Sequence, residues 1–232
     1  MPDRPTMIML PAMPCGEGFY AAQQAALADL VDCRVMVMDR PSLGESAAAV
    51  LAAAPPRFLL AGTAYGGSLA VEIALTAPER IAGLWLMNTD PGPHPDPARA
   101  HAAAASLRAG GLENLLADWA TFIVAEDATA ARQRFLALAR EAGAARFARQ
   151  YEALAARRDH WAGLHRLTMP ALLLWGEEDR FIPLATGRRM AAAMADARLV
   201  SLPGCRHFPA LEQPDAVNRV AREWLASILP PA

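Results

Sequence analysis

The chain of 232 residues has no lysine: all 22 of its basic residues are arginine, against 24 acidic ones, for a net charge of −2. That absence reads as genomic composition bias. No basic stripe runs along the chain, which argues against DNA or RNA as a partner. Cysteine is scarce. Cys15, Cys33 and Cys205 are odd in number and lack Cys-x-x-Cys spacing, so they read as free thiols in a reducing cytoplasm. The N-terminal "MPDRPTMIMLPAMP" has no long apolar stretch after a basic start, so no secretory leader is expected. Nor is there a charge-free run of about 18 apolar residues that could span a membrane. Metal-ligand spacing is missing too. His160 and His165 are five apart and would fall on different sides of a helix. No metal and no cofactor is expected.

What is present is a chain with 54% hydrophobic residues, enough to bury a sizeable core in one domain with an inserted subdomain. Short apolar runs alternate with helix-forming ones. "TMIML" (6–10) predicts a buried strand stopped by Pro11. Residues 19–30 predict a helix, "CRVMVM" (33–38) a second strand, 46–54 a helix ended by Pro55-Pro56, and 57–61 a third strand. A helix over 69–76 and a fourth strand, "IAGLWLM" (81–87), come next. This alternation predicts an α/β fold, a mostly parallel sheet with helices on both faces and sites at the carboxyl ends of its strands. Residues 11–13, Asp39, position 64 and residues 88–90 all fall at such ends.

The rhythm then breaks at the Pro-rich "DPGPHPDP" (90–97). Residues 98–167 predict helices without a strand, with turns at Gly110-Gly111 and Ala142-Gly143. Leu112, Leu115, Leu116, Trp119, Phe122 and Ile123 recur at three- and four-residue spacing, one face of an amphipathic helix. Strands return at 171–175 and 198–202, and a last helix is expected over 216–229. The expected organisation is a core of residues 1–92 and 168–232, with a helical cap of residues 93–167 placed to act as a lid.

Three segments carry chemistry. "LLAGTAYGGSLAVEIAL" (59–75) has the strand-to-helix turn of a nucleophile elbow, G-x-S-x-G, except that its middle residue is Ala64. "LLLWGEEDRFIP" sets Asp179 just past a strand end, with Glu177 and Glu178 read as solvated neighbours. "LPGCRHFPALEQP" sets His207 in the loop after the last strand. Position 64, then an acid, then a histidine is the chain order of a Ser-Asp-His triad on a sheet of this kind. Asp179 would accept from one ring nitrogen of His207 and hold its tautomer; Asp90, also past a strand end, is a rival acid.

With "DRPSLGES" after the second strand, "GTAYGGSLAVEIALTAPERIAGLWLMN", "PALLLWGEEDRFIP" and "GCRHFPALEQPDAVNRVAREWL", the chain resembles the α/β-hydrolase-fold superfamily. It resembles the small esterase, lactonase and acyl-hydrolase type with a short helical cap. The resemblance covers roughly residues 5–92 and 168–229. It implies an oxyanion hole from two backbone N–H groups, those of Tyr65 and of Met13, since Pro11 and Pro14 have none. Ala12 and Thr63 depart from the glycine and histidine frequent in the family. An apolar pocket under the cap, with Met13, Tyr65, Phe181, Trp119, Phe122 and Trp161 as candidate substrate contacts, implies a small, uncharged or moderately hydrophobic acyl substrate. Cys15 has no elbow to aim it, and Ser68, one turn beyond position 64, is expected to point elsewhere.

Ala64 therefore poses the functional question. The glycines around it and the acid and base are retained, so the simplest account is a deliberate replacement of a nucleophilic serine, leaving an inactive hydrolase able to hold substrate. Two natural alternatives stand beside it. One is a serine-independent lyase or cofactor-free oxygenase using His207 and Asp179; the other is a non-catalytic ligand-binding protein. The bond cleaved and the oligomeric state are not legible.

Overall fold

Six parallel strands are built from the apolar runs of the sequence, in the order β2-β1-β3-β4-β5-β6. The computed structural model describes residues 4–229; residues 1–3 and 230–232, at the outer ends of the expected core, lie outside the described residues. β1 (Thr6–Leu10), β3 (Phe58–Thr63), β4 (Ile81–Met87) and β5 (Ala171–Gly176) are buried almost throughout. A parallel strand covered on both faces needs that near-continuous apolar composition. Each fully buried Leu or Ile in these strands contributes roughly 1.5–3 kcal/mol. The edge strands, β2 (Asp32–Val35) and β6 (Ala197–Leu202), are only partly buried.

β2 is shorter than its apolar run predicts. Val35 pairs with Met9, the Met36 N–H still reaches Met9 O, and then β1 ends at Pro11, so the edge has no neighbour to pair with. The helices are α1 (Ala21–Leu27), α2 (Leu43–Ala53), α3 (Tyr65–Thr76), α7 (Leu184–Ala193), α8 (Pro209–Glu212) and α9 (Pro214–Ile228) around the sheet. α1 packs with α9, and α2 packs with α3. α2 starts three residues earlier than its composition suggests, because Ser42 Oγ accepts from Glu45 N and donates to Glu45 Oε1. The Ser-x-x-Glu spacing is that of a capping box, with the Ser42 hydroxyl rather than its backbone N–H meeting the glutamate. Its far end is closed by Arg80, whose guanidinium donates to the carbonyls of Leu51, Ala54, Pro55 and Pro56.

Between β4 and β5 the chain leaves the sheet for α4 (Pro97–Arg108), α5 (Leu112–Ala120), α6 (Thr129–Ala155) and a 3-10 turn, Trp161–Arg166. Asp96 caps α4 by accepting from Arg99 N. Gly143, at φ 77°, breaks α6 into two helical pieces at the turn expected there. α5 ends at Ala120, so Phe122 and Ile123 lie in the turn beyond it and not on its face. No helix among the described residues is long and apolar enough to cross a membrane.

The strand order places a topological switch between β1 and β3: the chain goes from β1 outward to β2, then returns past β1 to β3 and on to β6. Open parallel sheets bind ligands at the carboxyl ends beside such a switch. Here the two strands meet through α3, which begins at Tyr65 with only Ala64 between it and β3. The first turn of α3 lies so close to β1 that a Cβ on Gly66 would stand 2.0 Å from Leu10 O, a backbone atom that cannot swing away. Gly66→Ala should therefore lose on the order of 3 kcal/mol of stability, lowering Tm by about 6–12 °C in thermal unfolding. A Tm within a degree of the parent would refute the close contact.

Candidate active site

Ala64 sits alone between strand and helix with φ 52° and ψ −113°. A left-handed φ costs a residue with a Cβ of order 1–3 kcal/mol, and it persists only where neighbours over-determine it. Three groups do so. Ala64 N–H donates to Met87 O at 3.0 Å; its carbonyl accepts from Ser68 N at 2.9 Å and from Thr89 Oγ1 at 3.0 Å. The turn is thus held from β4 as well as from its own helix.

Asp179 lies just past β5 and His207 just past β6, and the sheet brings them together: His207 Nδ1 lies 2.8 Å from Asp179 Oδ2. Asp179 Oδ1 accepts from the N–H groups of Phe181 and Ile182 at 2.8 and 3.2 Å. Asn88 Nδ2 donates to Oδ2 at 2.6 Å. Burial pushes the Asp179 carboxyl upward, but the positive charge and hydrogen bond of His207, with those of Asn88 and Phe181, outweigh it and hold it below the usual carboxylate range. The carboxylate can orient the imidazole and stabilise it when protonated.

Ala64, Met13, Tyr65 and His207 line one cavity of about 520 Å³. Trp119, Phe122 and Phe181 form its aromatic wall, with Phe181 4.7 Å from Phe122, 5.6 Å from Trp119 and 5.0 Å from His207 between ring centroids. The Met13 N–H has no protein acceptor among the described residues. The N–H of Tyr65 opens α3, where helix donors lack an intrahelical partner.

Two expectations are corrected. Trp161 is not part of the cavity wall: its ring lies under Arg189, with the guanidinium carbon 3.8 Å from the ring centroid, because the 3-10 turn packs it against α7. Ser68 does not point elsewhere. It is four residues beyond Ala64 on α3 and so shares its face, lining the cavity and bonding to Asp90 O. Asp90 itself accepts from Gly92 N and lines the cavity; the carboxylate bonded to His207 is that of Asp179. Cys15 is fully buried, and burial drives its thiol upward. Among the described residues no His, Cys, Asp and Glu side chains are grouped to hold a metal ion.

Two supporting residues stand behind the site: Asn88, which the sequence places at a strand's carboxyl end without giving it a role, and Glu212, which it does not single out. Asn88, at φ 43°, ends β4; its Oδ1 accepts from Gly176 N while its amide holds Asp179 and Arg206 O. An Asn directly after a buried strand was the available signal, since Asn tolerates the left-handed region. Glu212 accepts from the N–H groups of Arg206, Phe208 and Ala125 at 2.8–3.0 Å, bracketing His207. Burial raises its carboxyl against the pull of those three donors.

Comparison with known proteins agrees with this architecture. The family model described as "Alpha/beta hydrolase family" matches residues 7–220. The chain belongs to that family. It is 28% identical to a protein of Stutzerimonas stutzeri named "Putative carbamate hydrolase RutD", over 97% of this chain and 93% of that one. Among solved structures, an esterase from Thermogutta terrifontis superposes with a TM-score of 0.89 at 21% identity, covering 97% of this chain and 91% of that one. An enol-lactonase from Burkholderia xenovorans LB400 superposes with a TM-score of 0.85 at 22% identity, covering 97% and 92%.

Two measurements check this site. Ala64→Gly should relieve the backbone strain, stabilising the fold by about 1 kcal/mol after the entropy lost by glycine and raising Tm by about 2–4 °C; an unchanged Tm would mean that the turn is unstrained. Asp179, with its folded pKa depressed, contributes stability that is present above its ordinary value of 3.8 and lost as pH falls through the lower folded value. In Asp179→Asn the acid-side fall of Tm should be shallower than in the parent, and an identical pH profile would contradict that coupling.

Proposed function

We propose that this is the acyl-transfer site of a serine hydrolase for an ester, thioester or lactone bond, with Ala64 standing at the nucleophile position. The observation that carries the reading is the strained backbone of Ala64, held at the mouth of α3 in the same cavity as His207. Such strain is retained where it aims a reacting group.

In this reading a hydroxyl at position 64 attacks the acyl carbonyl. His207 takes its proton at Nε2, while Asp179 holds Nδ1 and stabilises the imidazolium. The N–H groups of Met13 and Tyr65 hold the developing oxyanion. His207 returns the proton to the leaving group and then activates water to release the acyl-enzyme. The cap of residues 93–167 acts as the lid, with Trp119, Phe122 and Phe181 receiving the apolar part of the substrate. Three of the relatives are named for carbamate, ester and enol-lactone chemistry, at acyl bonds to oxygen or nitrogen, which supports the reading; others are named as hydrolases of 2-hydroxy-6-oxo-dienoates, whose acyl carbon is bonded to carbon. As it stands the chain lacks the nucleophile's oxygen, a loss worth on the order of 10⁶ in kcat in a serine protease.

Ala64→Ser should raise turnover by roughly 10³-fold or more on some member of a panel of esters, thioesters and lactones, and a further His207→Ala should remove the gain. If the chain already has an activity that is unchanged by the serine and lost in His207→Ala, His207 acts as a lone base. If ligands bind and no activity appears in either form, the protein is a binding protein on this fold.

A further inference from the structure

Beside its aromatic rings, the cavity has a lining of a different character, with charged and polar side chains. Of the three arginines that line it, Arg99 and Arg180 are exposed at the rim. Arg157 is not: its side chain is only 9% exposed. It comes just after α6, where the chain turns back toward the sheet, and it lines the cavity. Nη1 donates to Ser68 Oγ at 3.2 Å and Nη2 to Pro93 O at 3.3 Å. Nε is buried without a hydrogen-bond partner among the described residues. Arginine carries five N–H donors in a planar fork, so the protein leaves most of this one unused.

The charge is as incompletely matched as the donors. The nearest carboxylate, Asp90 Oδ2, is 3.7 Å away, beyond hydrogen-bond distance, on a side chain 31% exposed, and its other oxygen is committed to Gly92 N. Burial pulls the Arg157 pKa down from the ordinary arginine value, with Asp90 acting against it. A desolvated guanidinium with free donors costs stability unless something completes it. The group that matches its fork is a carboxylate, which accepts two parallel N–H bonds.

We propose that Arg157 anchors a carboxylate carried by the substrate at the end remote from the bond to be cleaved. This deepens the acyl-hydrolase reading, on which the identity of the cleaved bond rests; the anion subsite itself does not depend on turnover. It replaces the uncharged substrate expected from the sequence with one that is apolar along one side and anionic at one end. The spacing sets the length. Ser68, which Arg157 touches, is one helical turn from Ala64, or roughly 6 Å between Cβ positions. A few methylene groups between carboxylate and acyl carbon bridge that gap, so the class is the half-ester, half-thioester or lactone of a short dicarboxylic acid. Arg157 is in this role a specificity-determining residue.

The probes are the monobenzyl esters of succinic, glutaric and adipic acids, each paired with the neutral primary amide of the same length. Their binding to the chain with Ala64 in place is read by titration calorimetry at neutral pH, without turnover. At least one half-ester should bind about tenfold or more tighter than its amide. Arg157→Gln should abolish that preference while leaving the amide within about twofold, and Arg157→Lys should retain part of it. Asp90→Asn, which keeps an acceptor for Gly92 N but removes the competing charge, should tighten the half-ester severalfold and leave the amide unchanged. The Asp90 variant decides the matter if Arg157→Gln does not fold. No preference in any pair, a preference that survives Arg157→Gln, or no tightening in Asp90→Asn would each overturn the subsite. A half-ester preference that persists while Ala64→Ser gains no esterase activity would instead sink the acyl-hydrolase reading and leave the subsite standing.

Discussion

Everything at the carboxyl edge of the sheet depends on how closely the first turn of α3 lies against β1. With Gly66 pressed on the Leu10 carbonyl, no loop separates β3 from the helix, and the single residue between them must take a left-handed φ. The same closeness sets the N–H of Tyr65, the first of α3, beside the loop that carries Met13. It also aligns Ser68 one turn further along the cavity. Conformational strain at Ala64 is thus the local cost of an arrangement that brings strand ends, helix donors and cavity together.

The acid and base are held by a different device, a polar network spanning three strands. Asn88 at the end of β4 bonds to Asp179 after β5 and to the carbonyl of Arg206 after β6, while its own oxygen accepts from Gly176. The loop of His207 is further tied to the turn after α5. His207 N–H donates to Ile123 O, Arg206 to Val124 O, and Glu212 binds both Ala125 N–H and the N–H groups flanking His207. Had α5 run on through Ala128, the N–H groups of residues 127 and 128 would consume the carbonyls of Ile123 and Val124 within the helix. Because it stops, the segment between β4 and β5 is hydrogen-bonded directly to the loop that carries the imidazole.

The cavity combines two chemistries that its sequence motifs do not announce. One wall is a continuous set of rings running from Trp119 through Phe181 to His207. The other has Ser68, Asp90 and a buried arginine. Apolar surface gives a substrate affinity without direction, whereas a planar guanidinium with unused donors gives orientation. Together they favour a ligand with distinct ends, laid so that its middle crosses the position of Ala64.

Periodicity and chain order are properties of the sequence alone, and they determined the strands of the sheet and the order of the candidate site residues along it. Buried parallel strands must be nearly continuous apolar runs, and β1, β3, β4 and β5 were legible for that reason. The elbow glycines, Asp179 and His207 were legible because turns after strands expose few residues able to do chemistry. The tertiary structure decided what depends on side chains from distant segments. Arg157 and Ser68 are 89 positions apart, and Asn88 and Asp179 are 91; nothing in the local composition of either member indicates its partner. Trp161 and Trp119 look alike as aromatic residues of one helical region, yet one stacks under Arg189 and the other walls the cavity. Helical spacing reports which residues share a face, but which face meets a cavity is set only when the pieces pack.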